Sequence, residues 1–66
     1  MARRADLLVQ GSGTVYLLRP VSRCGHSWVA EHIPSDATWF GGAVVVEHGY
    51  IRDIVVGATR DGLEVR

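Results

Sequence analysis

The chain has 66 residues and a formal net charge of zero, because its seven arginines balance seven acidic residues. A chain of this length forms one domain, residues 1–66, that buries only about 60% of the surface its unfolded form exposes. Its single cysteine excludes a disulfide within the chain, its neutrality excludes a global field that attracts nucleic acid, and its longest apolar run, six residues, excludes a membrane span.

The first two predicted elements are β-strands. Residues 6–10 and 14–19 are β-prone runs on either side of residues 11–13, and a glycine-containing loop of three residues between such runs predicts a hairpin. Pro20 has no N–H to donate, so the second strand ends there or lies at an edge. In this hairpin one face carries Leu7, Val9, Val15 and Leu17, and the other carries Leu8, Tyr16 and Leu18. Residues 1–5 are expected to be disordered.

A short helix is predicted next, over residues 22–33, with Ser22 as its N-cap. Residues 38–46 then predict the strongest strand of the chain. Both alternating sets of side chains in this strand are apolar, which is typical of a central strand covered on both faces. The pair Gly41 and Gly42 inside it predicts a bulge, or a place where another backbone comes close.

The last helix is predicted for residues 48–61. Its apolar residues form one continuous stripe, which consists of Tyr50, Ile51, Ile54, Val55 and Ala58. Gly62 is predicted to end this helix in a Schellman motif with Leu63 folding back on the last turn, and residues 64–65 to form a brief final strand. The fold class is therefore α+β: a two-layer β-β-α-β-α-β domain whose sheet carries two helices on one face.

This architecture leaves more apolar side chains than two helices can cover. The predicted strands are apolar on both faces, and exposing several such side chains to water costs about as much as the whole stability of so small a domain. We therefore expect a surplus face that meets a second copy of the chain, as a homodimer, or a different protein. A curled sheet that covers itself as a monomer is the alternative. The candidate contact residues are Tyr16, Leu18, Trp39, Phe40 and Val56.

An alternative function is binding of nucleic acid by a cluster of arginines near the N-terminus. Residues 1–23 carry four arginines against one acid, a net charge of +3, and residues 24–66 carry −3. Arginine side chains beside aromatic rings are typical of surfaces that bind single strands. The candidate residues are Arg3, Arg4, Arg19 and Arg23, with Tyr16, Trp28 and Trp39 as the aromatic partners.

A third group of residues is of the type that binds zinc or forms a thiol–imidazole pair. It consists of Cys24, His26 and His32, with His48 further along the chain. Their spacing suits neither role, because positions 24, 26 and 32 of a helix point in different directions and a closed zinc site needs four ligands. We expect a small buried thiol and surface imidazoles, with no metal, no cofactor and no enzymatic activity.

The segment 39–55, together with residues 32–34 and with Asp61-Gly62-Leu63, resembles short uncharacterised bacterial proteins, some of them encoded on mobile elements. The resemblance covers about two-thirds of the chain. It implies a bacterial accessory protein of the cytoplasm and supplies no catalytic residues.

Overall fold

The computed structural model describes residues 4–66, which form one four-stranded antiparallel sheet and two helices. In chain order the elements are β1 (Leu7–Ser12), β2 (Val15–Pro20), α1 (Arg23–His32), β3 (Trp39–Phe40), β4 (Ala43–Glu47) and α2 (His48–Arg60). The strands lie in the order β1-β2-β4-β3, and both helices pack on the same face. The predicted α+β class is confirmed. Part of the segment expected to be disordered, residues 1–3, lies outside the described residues.

The first hairpin turns at Gly13 and Thr14, not through the predicted loop of residues 11–13. Gly13 has a φ of 65° and Thr14 a negative φ, the signs of a type II′ turn, whose twist matches that of the flanking strands. Ser12 therefore pairs with Val15, and both strands are six residues long. The predicted loop implies Thr14 opposite Gln10, whereas the observed register differs by three residues.

This difference of register exchanges the faces of β2. Side chains alternate along a strand, so a shift by an odd number of residues moves every side chain to the other face. The observed pairs Val9 with Leu18 and Gly11 with Tyr16 put Leu18 and Tyr16 on the face that carries the helices. Leu17 lies on the opposite face, together with Leu8. The predicted assignment of side chains to faces was wrong in this hairpin.

The predicted strand 38–46 is a second hairpin. Gly41 and Gly42 have φ values of 58° and 81°, and two successive residues with positive φ form a type I′ turn, which reverses the chain. The prediction of one continuous strand with a bulge was therefore wrong. Its second half, β4, is a central strand with apolar residues on both faces, as predicted, whereas β3 is an edge strand of two residues.

Helix α1 has the predicted N-cap. The Ser22 Oγ accepts a hydrogen bond of 2.9 Å from the Gly25 N–H, one of the donors that has no partner within the helix. The helix runs from Arg23 to His32, close to the predicted bounds. Gly25 faces the start of the sheet, where a Cβ atom would lie 2.1 Å from the carbonyl oxygen of Asp6. Only glycine allows the helix and the strand to approach so closely.

Helix α2 ends in the predicted Schellman motif. The Leu63 N–H donates to the Ala58 carbonyl and the Gly62 N–H to the Thr59 carbonyl, both at 3.0 Å. The chain then runs parallel to the outer edge of β1. The Arg66 N–H donates a hydrogen bond of 3.0 Å to the Leu7 carbonyl, and Val65 forms a β-bridge with Leu7. The predicted final strand is therefore present as a single bridge.

The hydrophobic core lies between the sheet and the helices. The strands contribute Leu7, Leu18, Val44 and Val46, and the helices contribute Trp28, Val29 and Ala58. Of the predicted stripe on α2, Ile51 and Ile54 pack against this core, whereas Tyr50 is 63% exposed. Within residues 4–66 neither helix is long and apolar enough to cross a membrane.

Candidate interaction surface

The sheet face opposite the helices is apolar and carries no covering element within the described residues. We call it the open face, and its side chains follow from the strand registers. From β1 to β3 it holds Leu8, Gln10 and Ser12, then Val15, Leu17 and Arg19, then Ala43, Val45 and Glu47, and finally Phe40. The strand residues of the core alternate with these residues along each strand, so their side chains point to the opposite face, towards the helices.

The exposed apolar area on the open face is concentrated in two side chains. Phe40 is 69% exposed and Leu8 is 39% exposed. Val15, Leu17 and Val45 between them are half-buried, because neighbouring side chains on a sheet shield one another. Apolar side chains therefore occur on all four strands of the open face, interrupted by Arg19 between Leu8 and Ala43 and flanked by Gln10, Ser12 and Glu47.

Arg19 crosses part of this face. It follows Leu18, the partner of Val44, so it lies beside Ala43 on the neighbouring strand. Its guanidinium group donates a hydrogen bond to the Gly41 carbonyl, and its Nη1 would lie 3.2 Å from a Cβ atom at Gly42. The stem of Arg19 thus extends over β4 and fixes the second turn, which consists of Gly41 and Gly42. Because this stem covers Ala43, that residue is 0% exposed although it faces away from the helices.

Of the predicted contact residues, Phe40 alone lies on the open face. Leu18 is 0% exposed in the core, and Tyr16 is half-buried on the same side, where its ring lies 4.8 Å from that of His48. These two assignments were wrong because of the register of the first hairpin. Val56 is 47% exposed, but it lies on α2, in the other layer.

Trp39 is exposed on the helix side of the sheet edge. It pairs with Val44, so its side chain shares the face of the core, and it is 48% exposed. It borders a cavity of about 330 Å³ between β3 and α1, to which Val29 and Ile33 also contribute. The second turn therefore presents its two aromatic residues on opposite faces of the same edge.

The nucleic-acid hypothesis requires free arginine side chains beside exposed aromatic rings. Arg3 lies outside the described residues, Arg4 and Arg23 are exposed, and Arg19 is engaged with the second turn. Trp28 is 7% exposed in the core, so its ring offers no face for a base to stack on. The observed placement gives no specific support to binding of single strands.

The cysteine and the histidines are dispersed. Cys24 is exposed, so the expectation of a buried thiol was wrong. His32 stacks on Trp28 with 4.3 Å between the ring centroids, and its Nε2 lies 3.6 Å from Oδ2 of Asp61. Among residues 4–66 no three His, Cys, Asp or Glu side chains are placed to hold a metal ion.

A groove of about 530 Å³ lies on the helix side, between the end of α1 and the first half of α2. Its walls are mainly apolar and include Ile33, Pro34 and Ile54, and Glu47 and Asp53 are also lining residues. Its size falls within the range of small-molecule sites, roughly 300–1,000 Å³. The floor of the groove consists of core residues, which are already buried.

The sequence interpretation missed four residues of the open face as contact candidates: Leu8, Val15, Leu17 and Val45. The signal that finds them is the turn chemistry. Gly13 followed by Thr14 suits a type II′ turn, and Gly41 followed by Gly42 suits a type I′ turn. When each of these pairs is taken as a two-residue loop, it fixes the register of its own hairpin. The register in turn decides on which face of the sheet each side chain lies.

The sequence matches no protein-family model, and comparisons with curated proteins and with solved structures find no match.

Proposed function

We propose that this chain is a non-catalytic interaction module that pairs with a second copy of itself through the open face. The observation that carries the proposal is the presence of apolar side chains, with Leu8 and Phe40 the most exposed, on the sheet face that neither helix covers. An antiparallel sheet with one free face normally carries polar side chains there. Here apolar side chains occupy that face on all four strands.

The charge of the chain favours a second copy as the partner. The net charge is zero, so two copies approach without overall repulsion. The open face holds one positive residue, Arg19, and one negative residue, Glu47. A partner surface with the same pair of charges can therefore neutralise both, and a second copy provides that surface.

The dimensions of the face predict a weak association. Strands of six, six, five and two residues, spaced about 4.8 Å apart with a rise of about 3.3 Å per residue, give a projected area of roughly 300 Å². A standard stable interface buries about 800 Å² on each partner. We therefore expect a dimer that exchanges with monomer at micromolar concentrations instead of an obligate dimer.

Sedimentation equilibrium over a range of about 5 μM to 500 μM tests the proposal, since this range brackets the affinity of a small interface. The mass should rise from that of one chain towards that of two. The double variant Leu8→Ser, Phe40→Ser should weaken the association about tenfold or more, because it removes the most exposed apolar groups of the face. A mass of one chain at every concentration contradicts the proposal.

Val56→Ser is the matched control. Val56 is 47% exposed, comparable with Leu8, but it lies in the helix layer. The control variant should associate like the wild type. If Val56→Ser weakens the dimer and the double variant does not, the copies pair through their helices and the open face is not the contact surface.

A further inference from the structure

One end of the sheet, where β1 begins and β2 ends, collects most of the arginines in the described part of the chain. Arg19 lies near the end of β2 and donates a hydrogen bond to the Gly41 carbonyl in the second turn. Arg4 precedes β1, and Arg23 is the first residue of α1. The C-terminal segment runs beside the start of β1 and places Arg66 at the same end. We call this part of the molecule the basic end, and it comprises residues 4–8, 19–23, 40–42 and 64–66.

The acidic residues of the basic end make their contacts within the fold. The Asp6 carboxylate accepts hydrogen bonds from the Ser22 hydroxyl and from the Glu64 N–H. The Glu64 carboxylate in turn lies 3.6 Å from Nε of Arg66. Four arginines against two acids give the basic end a net charge of +2, whereas the other described residues carry two arginines and five acids, a net charge of −3. The molecule is therefore electrically polarised although its total charge is zero, and its basic end attracts anions.

Exposed apolar side chains lie between these arginines. Phe40 is 69%, Val21 45% and Leu8 39% exposed. Leu8 and Phe40 share one row of the sheet with Arg19 and are three strand spacings, about 14 Å, apart. Val21 directly follows β2, and its N–H donates a hydrogen bond of 2.9 Å to the Asp6 carbonyl. Three of the six large apolar side chains exposed within residues 4–66 therefore lie at the basic end.

The combination of arginine with exposed apolar side chains distinguishes between anionic partners. A guanidinium group binds phosphate through its planar fork. Arg19 keeps this capacity while it donates to Gly41, because a guanidinium group has five N–H donors. A free phosphate or the backbone of a nucleic acid satisfies the arginines but leaves Leu8 and Val21 in water. An anionic lipid surface supplies partners for both, since phosphates lie at the level of the headgroups and acyl chains lie directly below them.

We propose that the basic end docks on an anionic lipid surface. Val21 and Phe40 enter the boundary between headgroups and acyl chains, and the arginines beside them bind headgroup phosphates. This inference goes beyond the proposed function and does not rest on it. Leu8 and Phe40 also belong to the open face, so the monomer is the form that binds lipid and the dimer competes with it. Arg4, Val21 and Arg23 lie outside the open face, and substitutions there separate the two surfaces.

Co-sedimentation with lipid vesicles tests the proposal at about 1 μM protein, below the range in which a small interface associates. Vesicles of equal parts phosphatidylglycerol and phosphatidylcholine should bind the chain at least about tenfold more tightly than vesicles of phosphatidylcholine alone. The double variant Arg4→Gln, Arg23→Gln should weaken binding to the anionic vesicles about tenfold or more, because each arginine near such a surface contributes about fivefold. The matched control Arg52→Gln, Arg60→Gln removes the same charge from exposed positions of α2. It should change binding by less than about threefold, because these charges lie outside the basic end.

Val21→Ser tests the apolar part of the surface. It should weaken binding to the anionic vesicles about fivefold, because this side chain then gains nothing from leaving water. Val56→Ser is the matched control, at a similarly exposed position of α2, and should leave vesicle binding unchanged. Equal losses from the two valine variants overturn the insertion of Val21.

Three further results would overturn the inference. Equal losses from the two arginine pairs would show that the basic end is not the docking surface, and a wild type that binds neither kind of vesicle would show that lipid is not the partner. A single-stranded oligodeoxythymidine that binds as tightly as the anionic vesicles, with the same loss in Arg4→Gln, Arg23→Gln, would identify nucleic acid as the partner instead. That variant keeps the whole open face, so its dimer constant should equal that of the wild type. Failure of lipid binding therefore leaves the proposed function standing, and a monomeric wild type that binds the anionic vesicles overturns the proposed function alone.

Discussion

The hydroxyl of Ser22 donates a hydrogen bond of 2.6 Å to Oδ1 of Asp6 and so joins the N-cap of α1 to the residue before β1. The same carboxylate accepts the Glu64 N–H through Oδ2 at 2.8 Å. The Asp6 carbonyl in turn accepts the Val21 N–H at 2.9 Å. One residue thus ties together the first strand, the first helix and the C-terminal segment.

Asp6→Ala should destabilise the fold by about 2–3 kcal/mol, because it removes a charged acceptor from two donors that remain partly buried. The free energy of unfolding is measured by urea titration. Asp36→Ala, at an exposed loop position, is the control and should change stability by less than about 0.5 kcal/mol. Equal effects of the two variants would show that the Asp6 hydrogen bonds contribute nothing to stability.

Two helical glycines should respond to alanine in opposite directions. Gly25→Ala places a Cβ atom 2.1 Å from the Asp6 carbonyl oxygen and should destabilise the domain by about 2 kcal/mol or more. A Cβ atom at Gly49, in the first turn of α2, meets nothing within 4 Å. Gly49→Ala should therefore stabilise the domain by about 0.5–1 kcal/mol through the helix propensity of alanine. Thermal unfolding of both variants checks the prediction, and a stabilising Gly25→Ala would refute the close approach.

The register of the first hairpin predicts a large difference between two leucines. Leu18 is 0% exposed and Leu8 is 39% exposed. Leu18→Ala should cost about 2–5 kcal/mol, because it opens a cavity in the core, whereas Leu8→Ala should cost about 1 kcal/mol or less. Urea titration at low protein concentration separates folding from association. Equal effects of the two substitutions would instead support the register implied by a loop at residues 11–13, which puts Leu8 and Leu18 on the same face.

The two tryptophans also differ in role. The Trp28 Nε1–H donates to Oδ2 of Asp61 at 2.8 Å and so links α1 to the end of α2. Trp28→Phe keeps the aromatic ring and removes this donor, which should cost about 1–2 kcal/mol. Trp39→Phe, at a residue that is 48% exposed, should cost less than about 0.5 kcal/mol. The prediction fails if thermal unfolding shows equal losses.

The helices could be predicted from the sequence because their ends carry local chemical signals. Ser22 caps α1 through its own side chain, and Gly62 ends α2 because the helix requires positive φ at that position. Each signal acts within a few residues. The neighbours in sequence therefore contain the information that determines where these helices begin and end.

The strand registers could not be predicted in the same way. In both hairpins the glycines mark the turn, but the type and length of the loop decide which residues pair. An error of an odd number of residues moves every side chain to the opposite face. For this reason Leu18 and Tyr16 were expected at the contact surface, where Leu17 and Val15 lie. Phe40, also a predicted contact residue, is exposed on the open face and directly precedes a turn that the sequence interpretation did not identify.

The most direct test of the open face as a contact surface is an isotope-filtered NOE experiment. A sample that mixes labelled and unlabelled copies, at a concentration where the mass shows a dimer, reports only contacts between copies. We predict cross-peaks between copies from the methyl groups of Leu17 and Val45 and from the ring of Phe40. Cross-peaks restricted to helix residues such as Val56 would contradict the account, as would a protein that stays monomeric at every concentration.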